Sequence, residues 1–160
     1  MIKTTCALAL VAALAVPALA QAQATCATAQ VVQSNATISG DTTTAGNPIG
    51  AFGPLPSPHN DLIYTFTPTG AGASGNITVT AANYNYGIFL TTDCNGSTSA
   101  PLQAATGPAA GNGFPVDGTT VGTQYYLIVS GNPSVNAPQN GTFTFTTPTF
   151  PVTLQQFSID

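Results

Sequence analysis

The chain has 160 residues, of which only 4% are charged, and its formal net charge is −4. Globular proteins usually carry about a quarter charged residues, so uncharged polar side chains must cover this surface. Lys3 is the only basic residue, which excludes a nucleic-acid partner and electrostatic attraction to an anionic membrane. So few charges give little repulsion between copies and favour self-association. Adaptation to an extracellular environment is the alternative explanation.

Residues 1–20 are predicted to form a cleavable signal peptide. Lys3 precedes an apolar stretch from Cys6 to Val16, and Ala18-Leu-Ala20 supplies the small residues that a signal peptidase requires. The apolar stretch is too short to span a bilayer. We therefore expect the protein to be secreted and not inserted in a membrane.

The remaining chain is long enough for one domain with one core. Cleavage after Ala20 is the first choice, and cleavage after Ala22 or Ala24 fits a similar pattern. We assign residues 21–149 to the domain and residues 150–160 to a strand-like C-terminal tail.

Two cysteines, Cys26 and Cys94, remain after this cleavage. An even number of cysteines in a secreted chain predicts a disulfide, and these two allow only one pairing. Free thiols and a metal site are the alternatives. A closed zinc centre needs four ligands, and His59 is the only histidine, so we predict neither a metal nor a cofactor.

The strand pattern dominates after the signal peptide. Apolar residues alternate with polar ones in several short runs, which predicts strands. These runs are Leu62–Phe66, Ile77–Ala81, Tyr84–Leu90 and Phe143–Phe145, and Val31-Val32 with Ile38 mark a first strand near the N-terminus. The run Tyr125–Val129 is apolar on both faces and predicts a central strand, whereas Gly46–Pro58 and Gly107–Gly118 predict long loops. The fold predicted is all-β, a two-layer antiparallel β-sandwich of jelly-roll or immunoglobulin-like type with about seven to nine strands.

Several of these segments resemble a known family. They are the Ser39-Gly-Asp-Thr42 turn, Asp61-Leu-Ile-Tyr-Thr-Phe-Thr67, Tyr86-Gly-Ile-Phe-Leu-Thr-Thr-Asp-Cys94, Tyr125-Tyr-Leu-Ile-Val-Ser-Gly131 and Gly141-Thr-Phe-Thr-Phe145. Their succession is similar to the bacterial pre-peptidase C-terminal domain. The resemblance implies a β-sandwich without chemistry of its own, of the kind appended to secreted proteases and other exported enzymes. Since no enzyme is attached here, we expect the module to act alone or with copies of itself.

The sequence predicts no catalytic residue. His59 lies near Ser57 and Asp61, but no Gly-x-Ser-x-Gly motif is present and the surrounding loop is rich in proline. We therefore expect an exposed loop histidine whose replacement leaves folding unchanged. Asp93 and Asn95 resemble a fragment of a calcium loop without its closing glutamate, and an Asx turn is the preferred interpretation.

The tail has strand-forming residues with a change of face. Val152 and Leu154 share one face, and Phe157 and Ile159 share the other. The segment is similar to the Pro-Val-x-Leu-x-x-Phe segment that precedes sorting domains in some secreted bacterial proteins. These four residues are the predicted assembly anchors; the alternative is an ordinary last strand of the same sandwich.

These observations predict a secreted, non-catalytic structural protein. Its copies would self-assemble into an extracellular filament, matrix fibre or surface layer, through strand addition by the terminal segment. The alternative is an accessory module that binds a carbohydrate or another cell-surface polysaccharide. For that role, we expect Tyr84 and Tyr86 to be exposed and to stack on sugars.

Overall fold

The structure is a computed structural model, and it describes residues 25–53, 55–69, 73–95, 101–108, 110–135 and 139–150. The predicted signal peptide lies outside the described residues. So do the four tail anchors, Val152, Leu154, Phe157 and Ile159.

Among the described residues, nine strands form two sheets. The five-stranded sheet has the order β1 (Gln30–Val31), β5 (Leu62–Phe66), β10 (Tyr125–Gly131), β7 (Tyr86–Thr91) and β8 (Gln103–Gly107). The four-stranded sheet has the order β2 (Thr37–Asp41), β11 (Thr142–Thr146), β6 (Asn76–Ala82) and β9 (Gly113–Pro115). The all-β, two-layer prediction is confirmed.

Nearly all neighbouring strands are antiparallel, as predicted. The exception is β1, which pairs in parallel with β5 and places Gln30 opposite Tyr64. Strand β10 lies at the centre of its sheet, where β5 and β7 flank it. Its residues are apolar on both faces because both faces of this sheet are covered.

The main core lies between the two sheets. Tyr64 and Leu127 of the five-stranded sheet are fully buried in the same cluster as Val79 and Phe145 of the four-stranded sheet. The Tyr64 ring meets the Phe145 ring edge to face, with centroids 5.2 Å apart. Burial of such side chains contributes roughly 1.5–3 kcal/mol each, so this core is the main source of stability.

A second, smaller core covers the outer face of the five-stranded sheet. Ile63, Phe89 and Ile128 point outward from three adjacent strands and pack with Ile49 and Phe52. The two strands β3 (Ala51–Phe52) and β4 (Leu55–Pro56) form a separate pair in the connection that supplies these last residues. The prediction that residues 46–58 form only a loop is therefore wrong.

The prediction of a loop over Gly107–Gly118 is also wrong in part, because β9 pairs with β6 within it. Gly113 of β9 lies against the Ile77 backbone so closely that a Cβ atom would overlap the Ile77 carbonyl. Only glycine permits this approach. β9 has the sequence Gly-Phe-Pro and therefore no alternating apolar pattern, which explains why the sequence does not reveal this strand.

A bulge in β6 changes which side chains face the core. The pairing with β11 shifts between Thr144 and Phe145, so that Ala81 is opposite Thr144 while Val79 is opposite Phe145. Beyond the bulge Ala81 is exposed and Ala82 packs on the core. The simple alternation predicted for Ile77–Ala81 therefore holds only as far as Val79.

The first and last described segments run side by side. The Thr147 backbone N–H donates to the Ala36 carbonyl at 2.9 Å, and the Asn35 N–H donates to the Pro148 carbonyl at 3.1 Å. Phe150, the first residue of the predicted tail, is buried and stacks on Phe66 with ring centroids 4.5 Å apart. The chain therefore enters the tail from a fixed position in the core.

Candidate functional site

Cys26 and Cys94 form a disulfide with a Cα–Cα distance of 5.7 Å, as the cysteine count predicts. Cys26 opens a short 3-10 helix, Cys26–Thr28, and Cys94 follows the end of β7. Cys94 is buried in the outer core beside Phe89. The bridge thus fastens the N-terminal segment over the outer face of the five-stranded sheet, and it is compatible with an extracellular location.

Asp93 forms the predicted Asx turn. Its Oδ1 accepts a hydrogen bond from the Asn95 backbone N–H at 3.0 Å. The Thr91 hydroxyl donates to the Asp93 carbonyl at 3.1 Å. Within the part of the chain that the structure describes, no group of three or more His, Cys, Asp or Glu side chains could hold a metal ion.

Five fully buried polar side chains, from the connection between β2 and β5 and from β10, make up the buried polar cluster, in which the Ser57 and Ser130 hydroxyl oxygens lie 3.4 Å apart. Its members are 0–1% exposed. They are Thr42, Ser57, His59, Asp61 and Ser130. Most of them come from the proline-rich connection between β2 and β5, and Ser130 comes from β10.

His59 is fully buried, so the prediction of an exposed loop histidine is wrong. The Gln139 backbone N–H donates to its Nδ1 at 3.1 Å, and its Nε2 lies 2.9 Å from the Asn132 carbonyl oxygen. An imidazole protonated on Nε2 satisfies both bonds. Since both ring nitrogens bind the backbone, His59 joins two loops and is not placed to activate Ser57 or Ser130.

Asp61 is also fully buried. Its Oδ2 accepts a hydrogen bond from the Ile49 backbone N–H at 3.0 Å. Burial raises the pKa of Asp61 to about 7, and hydrogen bonding by the Ser130 hydroxyl and the Ile49 amide opposes this only partly. The Asp61 carboxyl group therefore holds the Ile49 loop from a buried position, and burial disfavours its ionised form.

Tyr84 and Tyr86 lie in the sandwich core, at 8% and 0% exposure. The expectation that they are exposed for sugar stacking is therefore wrong. Burial raises the pKa of both phenols above the usual range. Their alternation with Ile88 and Leu90 indicates a strand, and here all four side chains point toward the other sheet.

The two edge strands of the five-stranded sheet, β1 and β8, differ in composition from the edge strands of the four-stranded sheet. Neither β1 nor β8 contains a charged residue or a proline, two of the features that protect edge strands. β1 has only two residues, and the Asn112 side-chain amide donates to the Thr106 carbonyl of β8 at 2.9 Å. By contrast, the edges of the four-stranded sheet carry Asp41 in β2 and Pro115 in β9. Val31 and Leu102, which lie in or beside the uncharged edge strands β1 and β8, are 61% and 56% exposed.

A groove lies beside β1. Its lining includes Val31 and Val32 of the edge, Phe66 of the neighbouring strand, Gln124 and Phe150. The groove is thus formed where the outer sheet edge meets the start of the predicted tail.

No protein-family model, curated protein or solved structure matches the chain. The resemblance to the pre-peptidase C-terminal domain therefore stays a prediction. Among the described residues, no helix is long and apolar enough to cross a membrane.

Sequence reasoning did not anticipate the buried polar cluster or the groove. One indication was available for the cluster: Asp61 directly precedes an apolar strand in a chain with very few charges. The partners of His59 lie more than 70 residues away, in a different loop. No local pattern identifies such contacts.

Proposed function

We propose that this protein is a secreted, non-catalytic structural subunit that self-assembles outside the cell into a filament, matrix fibre or surface layer. The observation that carries the proposal is the pair of edge strands on one sheet, β1 and β8, that contain neither a charged residue nor a proline. An edge strand without charges or proline can pair with a strand of another chain. The low charge of the whole surface adds little repulsion against this contact.

The exposed apolar residues support the same proposal. Within the described residues, three large hydrophobic side chains are exposed, and Val31 and Leu102 are two of them. Val31 lies in the edge strand β1, and Leu102 lies directly before the edge strand β8. An added strand would cover such side chains, and burial of one contributes roughly 1.5–3 kcal/mol before the cost of ordering the added segment.

The predicted tail supplies the proposed linking segment. Phe150 fixes its starting point in the core. Val152, Leu154, Phe157 and Ile159 are the proposed apolar anchors, with main-chain hydrogen bonds supplying affinity. No charged side chain in the tail precedes Asp160, and its one proline, Pro151, lies before the four anchors.

The proposal is tested by placing a charge on the β8 edge. The secreted protein and its Ala104→Lys variant are compared by size-exclusion chromatography and negative-stain microscopy. Ala104 is exposed in the middle of β8. We expect polymers from the unmodified protein and a folded monomer from the variant.

Thr120→Lys is the matched control, since it adds the same charge at an exposed loop residue that belongs to neither edge strand. This control should still polymerise. An unmodified protein that remains monomeric at high concentration contradicts self-assembly, and equal loss in both variants would attribute the effect to net charge alone.

A further inference from the structure

The segment that follows β11 runs back along the segment that precedes β2. Thr147, Pro148 and Phe150 make hydrogen bonds with successive residues of this segment in reverse order, Ala36, Asn35 and Ser34. The Phe150 backbone N–H donates to the Ser34 hydroxyl at 2.9 Å. Ser34 and Asn35 form a turn in which Asn35 has a φ of 52°, and Val32 lies two residues before this turn, directly after β1. Phe150 therefore lies beside the turn that leads from β1 to β2, and it lines the groove at the β1 edge.

The outer side of β1 offers free main-chain groups. Val32 donates its backbone N–H to the Thr65 carbonyl of β5 at 2.9 Å. Because successive residues of a strand direct their backbone groups to opposite sides, the N–H and C=O of Val31 point away from β5. β1 is at the edge of its sheet, and no described strand lies on that side.

The side-chain alternation of the tail fits the groove at this edge. Phe150 is buried against Phe66 and lines the groove together with Val32. In an extended segment, Val152 and Leu154 fall on the same face as Phe150. Pro151 and Thr153 fall on the opposite face, toward solvent.

Proline at position 151 is also compatible with this arrangement. If Phe150 stands beside Ser34, Pro151 stands beside Gln33. The Gln33 carbonyl already accepts a hydrogen bond from the Thr147 hydroxyl at 2.7 Å. The N–H that proline lacks is therefore not needed there.

We propose that residues 151–154 dock on their own chain as an antiparallel strand along the outer edge of β1. Thr153 then lies opposite Val31 and exchanges main-chain hydrogen bonds with it, and Val152 fills the groove beside Val32. The five-stranded sheet gains a sixth strand. This docking covers the β1 edge and assigns Val152 and Leu154 to their own chain. Contacts between copies then rest on the β8 edge and on Phe157 and Ile159, which lie beyond β1 in this register.

This docking is tested by cross-linking a specific register. Residues paired by hydrogen bonds across an antiparallel ladder have Cα atoms about 5.5 Å apart, a distance that a disulfide spans. The Val31→Cys/Thr153→Cys double variant should therefore form a second disulfide within the monomer, detected by non-reducing peptide mapping. The native bridge between Cys26 and Cys94 serves as the internal reference.

Val31→Cys/Leu154→Cys is the control, one residue out of register, with side chains on opposite faces. It should form the added bridge at a yield lower by about tenfold or more. A bridge between two chains would assign the groove to a second copy and overturn own-chain docking, as would equal yields in the two double variants.

Amide hydrogen exchange gives a second measurement on the monomer, and it is independent of polymerisation. The Val31 amide should be protected in the full chain and exchange at least about tenfold faster after deletion of residues 152–160. The Leu127 amide of β10 reports whether the truncated domain is folded and should not change. A Val31 amide that exchanges rapidly in the full chain rules out the proposed strand.

Discussion

Gly131 lies directly against the imidazole ring of His59, so closely that a Cβ atom at this position would overlap ring atom Cγ. The same Cβ would lie 2.6 Å from the Gln139 carbonyl oxygen. The backbone of β10 at Gly131 thus packs against the His59 side chain. Gly131→Ala should lower the free energy of unfolding by about 1–3 kcal/mol through overpacking.

Chemical denaturation measures this loss. Gly50→Ala is the control, because a Cβ at Gly50 meets no atom within 4 Å. Its effect should stay within about 0.5 kcal/mol. Equal stability of the two variants would contradict the close packing of Gly131 on His59.

Replacement of His59 should also destabilise the domain, contrary to the expectation from sequence. His59→Ala leaves the Gln139 N–H and the Asn132 carbonyl without their bonds to the ring, and it opens a cavity. We expect a loss of about 2–5 kcal/mol. Thermal unfolding followed by circular dichroism measures it, and an unchanged midpoint would show that the loops do not depend on the ring.

Asp61 should make stability depend on pH. Burial raises its carboxyl pKa to about 7 in the folded protein, from an ordinary value of 3.8. Because the folded state holds the proton more tightly, stability is greatest below pH 4 for this group and falls as pH rises from about 4 to about 7. The loss is at most about 4 kcal/mol, taking 1.36 kcal/mol per pKa unit.

Urea denaturation at pH 5 and pH 8 tests the dependence. The Asp61→Asn variant keeps a neutral side chain, so the difference between the two pH values should be smaller in it than in the unmodified protein. Asp117→Asn is the control, since Asp117 is exposed, and it should keep the full difference. The same difference in stability between pH 5 and pH 8 in all three proteins would show that Asp61 is not the cause.

The disulfide should contribute strongly to stability because it closes a loop over a sequence separation of 68 residues. Reduction, or the Cys26→Ser/Cys94→Ser double variant, should cost up to about 4 kcal/mol on the chain-entropy model. The comparison is made by unfolding with and without reductant. A double variant that still responds to reductant would indicate an effect on something other than this bridge.

Phe150 should be part of the folded domain although it begins the predicted tail. Phe150→Ala removes the ring that stacks on Phe66 and should destabilise the domain by about 3–5 kcal/mol. Val121→Ala, at a residue that is 51% exposed, is the control and should have a small effect. Equilibrium unfolding measures the loss of stability in each of the two variants.

Much of the fold is predictable from alternation within single strands. Phe143 and Phe145 alternate with threonines, and they do line the core. Tyr84 and Tyr86 show the limit of such a pattern: it gives the face that they share, but not whether that face meets solvent or the other sheet. Pairing with distant segments decides burial, as it does for His59 in a loop whose prolines indicate a surface position.

The side-by-side course of residues 34–36 and 147–150 also determines how the domain would respond to force. Tension applied through residue 150 and the N-terminal segment would pull apart two antiparallel neighbours from the same end, so their hydrogen bonds would break one after another. The bridge at Cys26 diverts the N-terminal part of this load to Cys94, three residues after the end of β7, an interior strand of the five-stranded sheet. In the proposed filament, tension would therefore reach the five-stranded sheet through the disulfide, while the hydrogen bonds beside Phe150 would break singly.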